Sequence, residues 1–110
     1  MIQNRLDKIE ERLKQSKTVK ESEKAELLSL LTTLREEIAG LSKTHHEQAE
    51  SIAGFAELSA REATRSEKSS DLFNISINGL TSSVQGFEVS HPRLVGMINT
   101  FCEMLAKLGI

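Results

Sequence analysis

Apolar residues recur every three or four positions through most of the chain, which is the period of an α-helix. The first run comprises Ile2, Leu6, Ile9 and Leu13. A second run, after a polar stretch, comprises Leu27, Leu31, Leu34, Ile38 and Leu41. Thr18 and Glu21 have the spacing of a capping box, which predicts the start of the second helix. Gly40 and Ser42 predict its end.

The longest register begins at Thr44, where Glu47 completes another capping-box spacing. We call this register the seam, and its members are Ala49, Ile52, Ala56, Ser59, Ala63, Ser66, Ser70, Phe73, Ile77, Leu80, Val84, Phe87 and His91. Every step is three or four residues, and no proline interrupts it before Pro92. The seam therefore predicts one central helix over about residues 44–90, about 70 Å long at 1.5 Å per residue.

The alternative divides this helix near residues 68–71. Ser69 or Ser70 could cap a new helix there, because a serine hydroxyl accepts hydrogen bonds from first-turn amides. The unbroken register favours the continuous helix.

A final helix is predicted after His91-Pro92, because proline disfavours helix at the residue before it and suits the first helical position. Its apolar positions are Leu94, Ile98, Phe101, Leu105 and Leu108, and Gly109 is its predicted C-cap. A second stripe near the end of the central helix, which we call the glycine stripe, comprises Ile75, Gly79, Ser82, Gly86 and Val89. Its two glycines would allow close packing, so we expect the final helix to fold back onto it.

These elements predict an all-α fold with one domain over residues 1–110, built as an antiparallel helical bundle. The shorter helices would leave the small-residue middle of the long helix uncovered. A second copy would cover it most simply, so we expect a homodimer with coiled-coil-like pairing. The expected interface comprises Ile52, Ala56, Ser59, Ala63, Ser66, Ser70 and Phe73.

Charge and composition exclude several classes of protein. The net charge is -2 and the chain has no Trp or Tyr, which argues against a nucleic-acid binder. The single cysteine, Cys102, cannot form an internal disulfide, and it is expected to be a small buried residue. The longest uncharged stretch, residues 72–87, is too short and too polar to span a bilayer. We expect a cytoplasmic protein without a leader peptide.

No recognised catalytic motif occurs in the sequence, so we expect no enzyme activity and no cofactor. His45, His46 and Glu50 are weak metal candidates, because His46 and Glu50 lie four apart on one helical face. Two ligands do not close a site, and a third would come from His91 or from a second chain. The alternative is a solvated first helical turn.

A basic region over residues 12–24 could contact phosphate or anionic lipid. Its cations are Arg12, Lys14, Lys17, Lys20 and Lys24, and neighbouring glutamates dilute them. The alternative is a solvated loop.

The C-terminal third carries two distinctive elements. The first runs through Phe87, Glu88, Val89, Ser90, His91, Pro92, Arg93 and Leu94, and the second runs from Leu105 to Ile110. They resemble a family of short bacterial helical proteins of unknown function, which carry Phe-Glu-x-x-His-Pro-x-Leu and end in Leu-x-x-x-Gly-Ile. The resemblance implies a small helical protein and no known activity. It marks as a helix corner Phe87, Glu88, His91, Pro92 and Leu94.

The function expected from these patterns is that of a non-enzymatic structural or adaptor protein, which acts through a self-associating helical surface or contacts another protein. One alternative is a small ligand- or metal-binding module around Glu88 and His91, which lie three apart and could share a hydrogen bond, or around the His45 group. Another is a peripheral membrane binder that uses residues 12–24.

Overall fold

A computed structural model describes residues 1–108, and every regular element in that range is helical. The elements are α1 (Ile2–Gln15), α2 (Glu21–Ser42), α3 (His46–Ala63), α4 (Ser70–Val84), a 3₁₀ turn (Gln85–Phe87) and α5 (Pro92–Ala106). The predicted all-α class is confirmed. Gly109, the predicted C-cap, lies outside the described residues.

The apolar periodicity of α1, α2 and α5 locates the core correctly. Buried positions on these three helices are Ile2, Leu6, Ile9, Leu13, Leu27, Leu31, Leu34, Ile38, Leu41, Leu94, Ile98, Phe101 and Leu105. Full burial of one such side chain stabilises a fold by about 1.5–3 kcal/mol. These faces therefore hold the bundle together.

The single central helix predicted over residues 44–90 is wrong, because the chain reverses direction between α3 and α4. Ser69 is the N-cap of α4, and its Oγ accepts a hydrogen bond from the Leu72 amide at 3.2 Å. This is the break that the alternative interpretation located at residues 68–71. A cap satisfies amide groups that the first turn leaves without helical partners, which makes a new helix start favourable there.

The seam keeps its register across the break because α3 and α4 each bury one apolar face, and each face repeats with the helical period. α3 and α4 pack against each other along their lengths, and both turn their apolar seam residues into the same core. The resulting molecule measures 37 × 25 × 22 Å, well short of a rod of about 70 Å.

The residues predicted for a homodimer interface lie mostly inside the single chain. Those buried by the chain's own helices are Ile52, Ala56, Ser59, Ala63 and Phe73. Ser66 and Ser70 are exposed around the α3–α4 turn. The seam is therefore not a surface that a second copy could cover. Residues 44–90 do not form an uncovered rod, and the homodimer stays a prediction.

The final helix does not pack on the glycine stripe as expected. α5 follows His91-Pro92 and folds back, but it contacts α2, α3 and a different side of α4. On that side the Cys102 thiol of α5 lies beside the Thr81 side chain of α4. The glycine stripe stays largely open, with Ile75 63% exposed and Val89 96% exposed.

Neither predicted capping box forms. α2 starts at Glu21 after Lys20, α3 starts at His46 after His45, and neither N-cap side chain bonds to a first-turn amide. Thr44 instead bonds through its hydroxyl to the Leu41 carbonyl and to the His45 ring. The spacing alone was misleading, because the tight turns between helices direct these side chains elsewhere.

Ion pairs on the surface join neighbouring helices. Arg35 on α2 donates to Gln3 at 2.8 Å and to Asp7 at 2.7 Å on α1. Arg5 on α1 donates to Glu57 on α3 at 3.1 Å. Exposed pairs of this kind contribute about 0–1 kcal/mol each, so they orient the helices more than they stabilise them.

Candidate functional surfaces

The outer face of α4 carries large apolar side chains that the core does not use. Leu72 is 45% exposed and Ile75 is 63% exposed, whereas Phe73 and Leu80 of the same helix are buried. Ser82 of α4 and Gly86 of the following 3₁₀ turn continue this face and are also exposed. We call these four residues the α4 outer face.

Gly79 lies beside this face because α3 approaches α4 closely there. A Cβ atom added to Gly79 would overlap the ring of Phe55, which α3 places over the glycine. By contrast, a Cβ at Gly86 would meet nothing within 4 Å. The prediction that a glycine serves close packing is therefore met at Gly79 by α3 and not by α5.

The α4 helix is nearly free of charge. Asp71 is the only Asp, Glu, Lys or Arg among its 15 residues. Charged residues are depleted at the centres of protein interfaces, where their desolvation is costly. An uncharged helix with exposed Leu and Ile is therefore a surface suited to a protein contact.

A second feature is the histidine corner, where two helices begin side by side. His45 precedes α3 and His91 precedes α5, and their ring centroids are 6.3 Å apart. Phe87 lies in edge-to-face contact with both rings. Its ring centroid is 5.3 Å from that of His45 and 5.6 Å from that of His91. The fold thus joins one histidine from each of the two metal-candidate groups that the sequence suggested.

The other members of those two groups lie apart from this pair. His46 turns to its own helix, with Nδ1 3.0 Å from Ser42 Oγ and Nε2 3.4 Å from Glu50 Oε1. Glu88 is exposed, and His91 Nδ1 pairs with Ser90 Oγ at 2.9 Å instead of with Glu88. Within residues 1–108, no group of three or more side chains suitable for a metal ion comes together.

Two of the five cations in the basic region over residues 12–24, Lys14 and Lys24, make contacts within the fold, whereas Arg12, Lys17 and Lys20 are exposed. Lys24 is 14% exposed at its side chain, and its Nζ donates to the backbone carbonyls of Lys14 and Ser16 at the end of α1. A cation at this position complements the negative end of a helix dipole. Lys14 pairs with Glu10 at 2.9 Å, which holds the pKa of the Glu10 carboxyl below its ordinary value.

A groove of about 710 Å³ opens beside this region, between the end of α1 and the α3–α4 turn. Its charged lining residues are Lys8, Glu11, Arg12, Lys17, Glu57, Arg65 and Glu67. The alternation of cations and carboxylates gives no continuous basic surface. The groove therefore offers little support for binding to anionic lipid.

Cys102 is half-buried in α5. Burial raises the pKa of the Cys102 thiol, because the thiolate loses hydration there. A reactive cysteine needs the opposite shift, toward the thiolate at neutral pH. The geometry therefore fits the packing role expected from the sequence.

Two polar residues of α3 are buried, and sequence reasoning found only Ser59, as a member of the seam. Ser59 Oγ is buried in α3 and has no hydrogen-bond partner among residues 1–108. Glu62 has a 5% exposed side chain and accepts from Arg65 Nη1 at 2.9 Å. Glu62 lies three residues after the buried Ser59. Because glutamate is usually solvated, its presence in the sequence does not predict a buried side chain.

Comparison with known proteins adds no further constraint: no family model, no curated protein and no solved structure matches the chain. The resemblance of the C-terminal third to short bacterial helical proteins stays a prediction. Among the described helices, none combines the length and apolar character needed to cross a membrane.

Proposed function

We propose that this chain is a non-enzymatic structural or adaptor protein of the cytoplasm that pairs with a second copy of itself through the α4 outer face. The observation that carries the proposal is the exposure of Leu72 and Ile75 on a helix with a single charged residue. Burying these side chains would contribute about 25 cal/mol per Å² of apolar area removed from water.

The arrangement of large and small residues favours a second copy as the partner. Leu72 and Ile75 lie toward the start of α4. Ser82 lies three positions beyond Gly79, and Gly86 lies seven positions beyond it, in the 3₁₀ turn that follows α4. If two copies of α4 pair antiparallel about the Phe55 ring that covers Gly79, Ile75 meets Ser82 of the second copy. Leu72 then meets Gly86. A two-fold axis makes one such face complementary to itself.

Charge does not oppose this pairing. The whole chain carries a net charge of -2, and Asp71 is the only charged residue of α4. Two copies of the face therefore meet without a cluster of like charges at the centre. A paired helical surface of this kind would act as a scaffold on which other proteins assemble.

The test is the molar mass of the protein across a concentration series from about 1 to 100 µM. We expect wild-type mass to rise from one chain to two, and the Ile75→Asp variant to stay at one, because the aspartate would lose hydration in the contact. Val89→Asp is the matched control, since Val89 is 96% exposed but lies outside the α4 outer face, beyond the 3₁₀ turn that follows α4.

The outcome is decided by comparing the three proteins. A wild-type mass of one chain at 100 µM would contradict the proposal, and so would an Ile75→Asp variant that pairs as well as wild type. Circular dichroism of each variant establishes that the helices are retained.

A further inference from the structure

The histidine corner carries an inference that is independent of the α4 outer face. We propose that His45 and His91 together bind one divalent transition-metal ion through their Nε2 atoms, which fastens the start of α3 to the start of α5. Neither the fold nor the proposed pairing of chains requires this site.

The separation of the two rings fits a shared ion. Zinc–nitrogen bonds are about 2.0–2.1 Å long, so two imidazoles on one zinc hold their centroids about 5–6 Å apart. The observed separation is 6.3 Å. His45 is exposed, so a small rotation of its ring closes the difference.

In both cases the hydroxyl group of the preceding residue orients the histidine ring. His45 Nδ1 is 2.8 Å from Thr44 Oγ1, and His91 Nδ1 is 2.9 Å from Ser90 Oγ. Metal-bound histidines commonly donate their other ring N–H to an oxygen acceptor, which fixes the tautomer and the ring direction. In the tautomer where Nδ1 donates to the hydroxyl, the Nε2 lone pair of each ring is available to a metal.

The backbone supports the same pairing. His45 has φ −135° and ψ 64°, and His91 has φ −136° and ψ 60°, so the two N-caps have nearly the same conformation. Phe87 contacts both rings by its edge-to-face geometry and limits their freedom. Two ligands held in this way lose little side-chain entropy when a metal binds.

The chemistry of the site sets which ions it takes. Imidazole suits Zn²⁺, Ni²⁺ and Cu²⁺, whereas Mg²⁺ prefers oxygen ligands. With two protein ligands, the remaining coordination positions are filled by water. The positive ends of two helix dipoles oppose a cation, so we expect a reversible site instead of a tightly held structural metal.

Thermal unfolding with Zn²⁺ tests the site, and Zn²⁺ is chosen because it cannot oxidise Cys102. We expect Zn²⁺ at about tenfold excess over its Kd to raise the melting temperature by about 5 °C, and Mg²⁺ to leave it unchanged. His45→Asn and His91→Asn should each abolish the rise. Asparagine suits an N-cap, so both variants should keep their helices.

His46→Asn is the matched control, because His46 adjoins His45 but bonds to Ser42 and lies beside Glu50. It should retain the full Zn²⁺ effect, and titration calorimetry should give one ion per chain. The proposal is overturned if wild type shows no rise, if either His45→Asn or His91→Asn keeps it, or if His46→Asn loses it. Measuring the molar mass with Zn²⁺ separates this site from pairing through α4.

Discussion

Ser59 and Ser76 are two buried serines that differ in hydrogen bonding. Ser59 lies in α3 and Ser76 in α4, and both are fully buried. Ser76 Oγ donates to the Phe73 carbonyl at 2.7 Å, whereas Ser59 Oγ has no partner among the residues that the structure describes. A buried hydroxyl without a partner costs about 1–3 kcal/mol of desolvation, and a hydrogen bond largely offsets that cost.

We therefore expect Ser59→Ala to raise the free energy of unfolding by about 1–2 kcal/mol, since it removes an unpaired hydroxyl and introduces a better helix former. Ser76→Ala is the control, and its effect should be about 1 kcal/mol less favourable because a hydrogen bond is lost. Urea unfolding of both variants measures the difference. Equal gains would show that Ser59 has a partner, such as an ordered water.

The buried Glu62 is a second feature of the residue scale. Its carboxylate is enclosed but pairs with Arg65 at 2.9 Å, and Arg61 Nε lies 3.9 Å away. A buried carboxylate without such partners would be strongly destabilising. Sequence reasoning could not find it, because the apolar pattern of α3 gives no sign of which polar residue turns inward.

At the scale of elements, the contact between α3 and α4 depends on one glycine. Phe55 lies over Gly79, and the space for a Cβ is taken by its ring. Gly40 on α2 is the opposite case, with nothing within 4 Å of a Cβ. Both glycines are inside helices, so alanine gains about 1 kcal/mol of helix propensity at either position.

We expect Gly40→Ala to stabilise the protein by about 0.5–1 kcal/mol and Gly79→Ala to destabilise it by about 1 kcal/mol. At Gly79 the new methyl group displaces the Phe55 ring, and the free energy lost by this repacking exceeds the gain in helix propensity. In a Phe55→Ala background the same change at Gly79 should become stabilising, because the clash is gone. A stabilising Gly79→Ala in the wild-type background would mean that Phe55 moves aside without loss.

In the glycine stripe, the spacing of the glycines predicted a close helix contact but not which helix makes it. Close approach at Gly79 was expected from the sequence, but α5 was the expected neighbour. α3 holds that position because a six-residue turn over residues 64–69 returns the chain directly alongside it. Neighbours in sequence pack together most readily, since the loop that joins them is short.

At the scale of the whole molecule, the break at residues 64–69 decides the shape. The Cα radius of gyration is 12.9 Å, near the value of about 13 Å expected for a compact chain of this length. An uninterrupted helix of about 70 Å would by itself have a radius of gyration of about 20 Å. The two shapes are therefore distinguishable in solution.

Small-angle X-ray scattering should give a radius of gyration of about 13–15 Å for the single chain. The Ile75→Asp variant at low concentration is the sample of choice, because pairing through α4 would enlarge the particle. A value of about 20 Å from a particle with the mass of one chain would contradict the compact fold and restore the long helix.

The sequence by itself determined the all-α class, the buried faces of α1, α2 and α5, and the helix start at Pro92. These follow from periodicity and from proline, which act within a few residues. Only the tertiary structure decided that the seam folds on itself, that α3 covers Gly79, and that His45 meets His91. Helical period is the same on both sides of a turn, so it contains no record of where the chain reverses or which helices become neighbours.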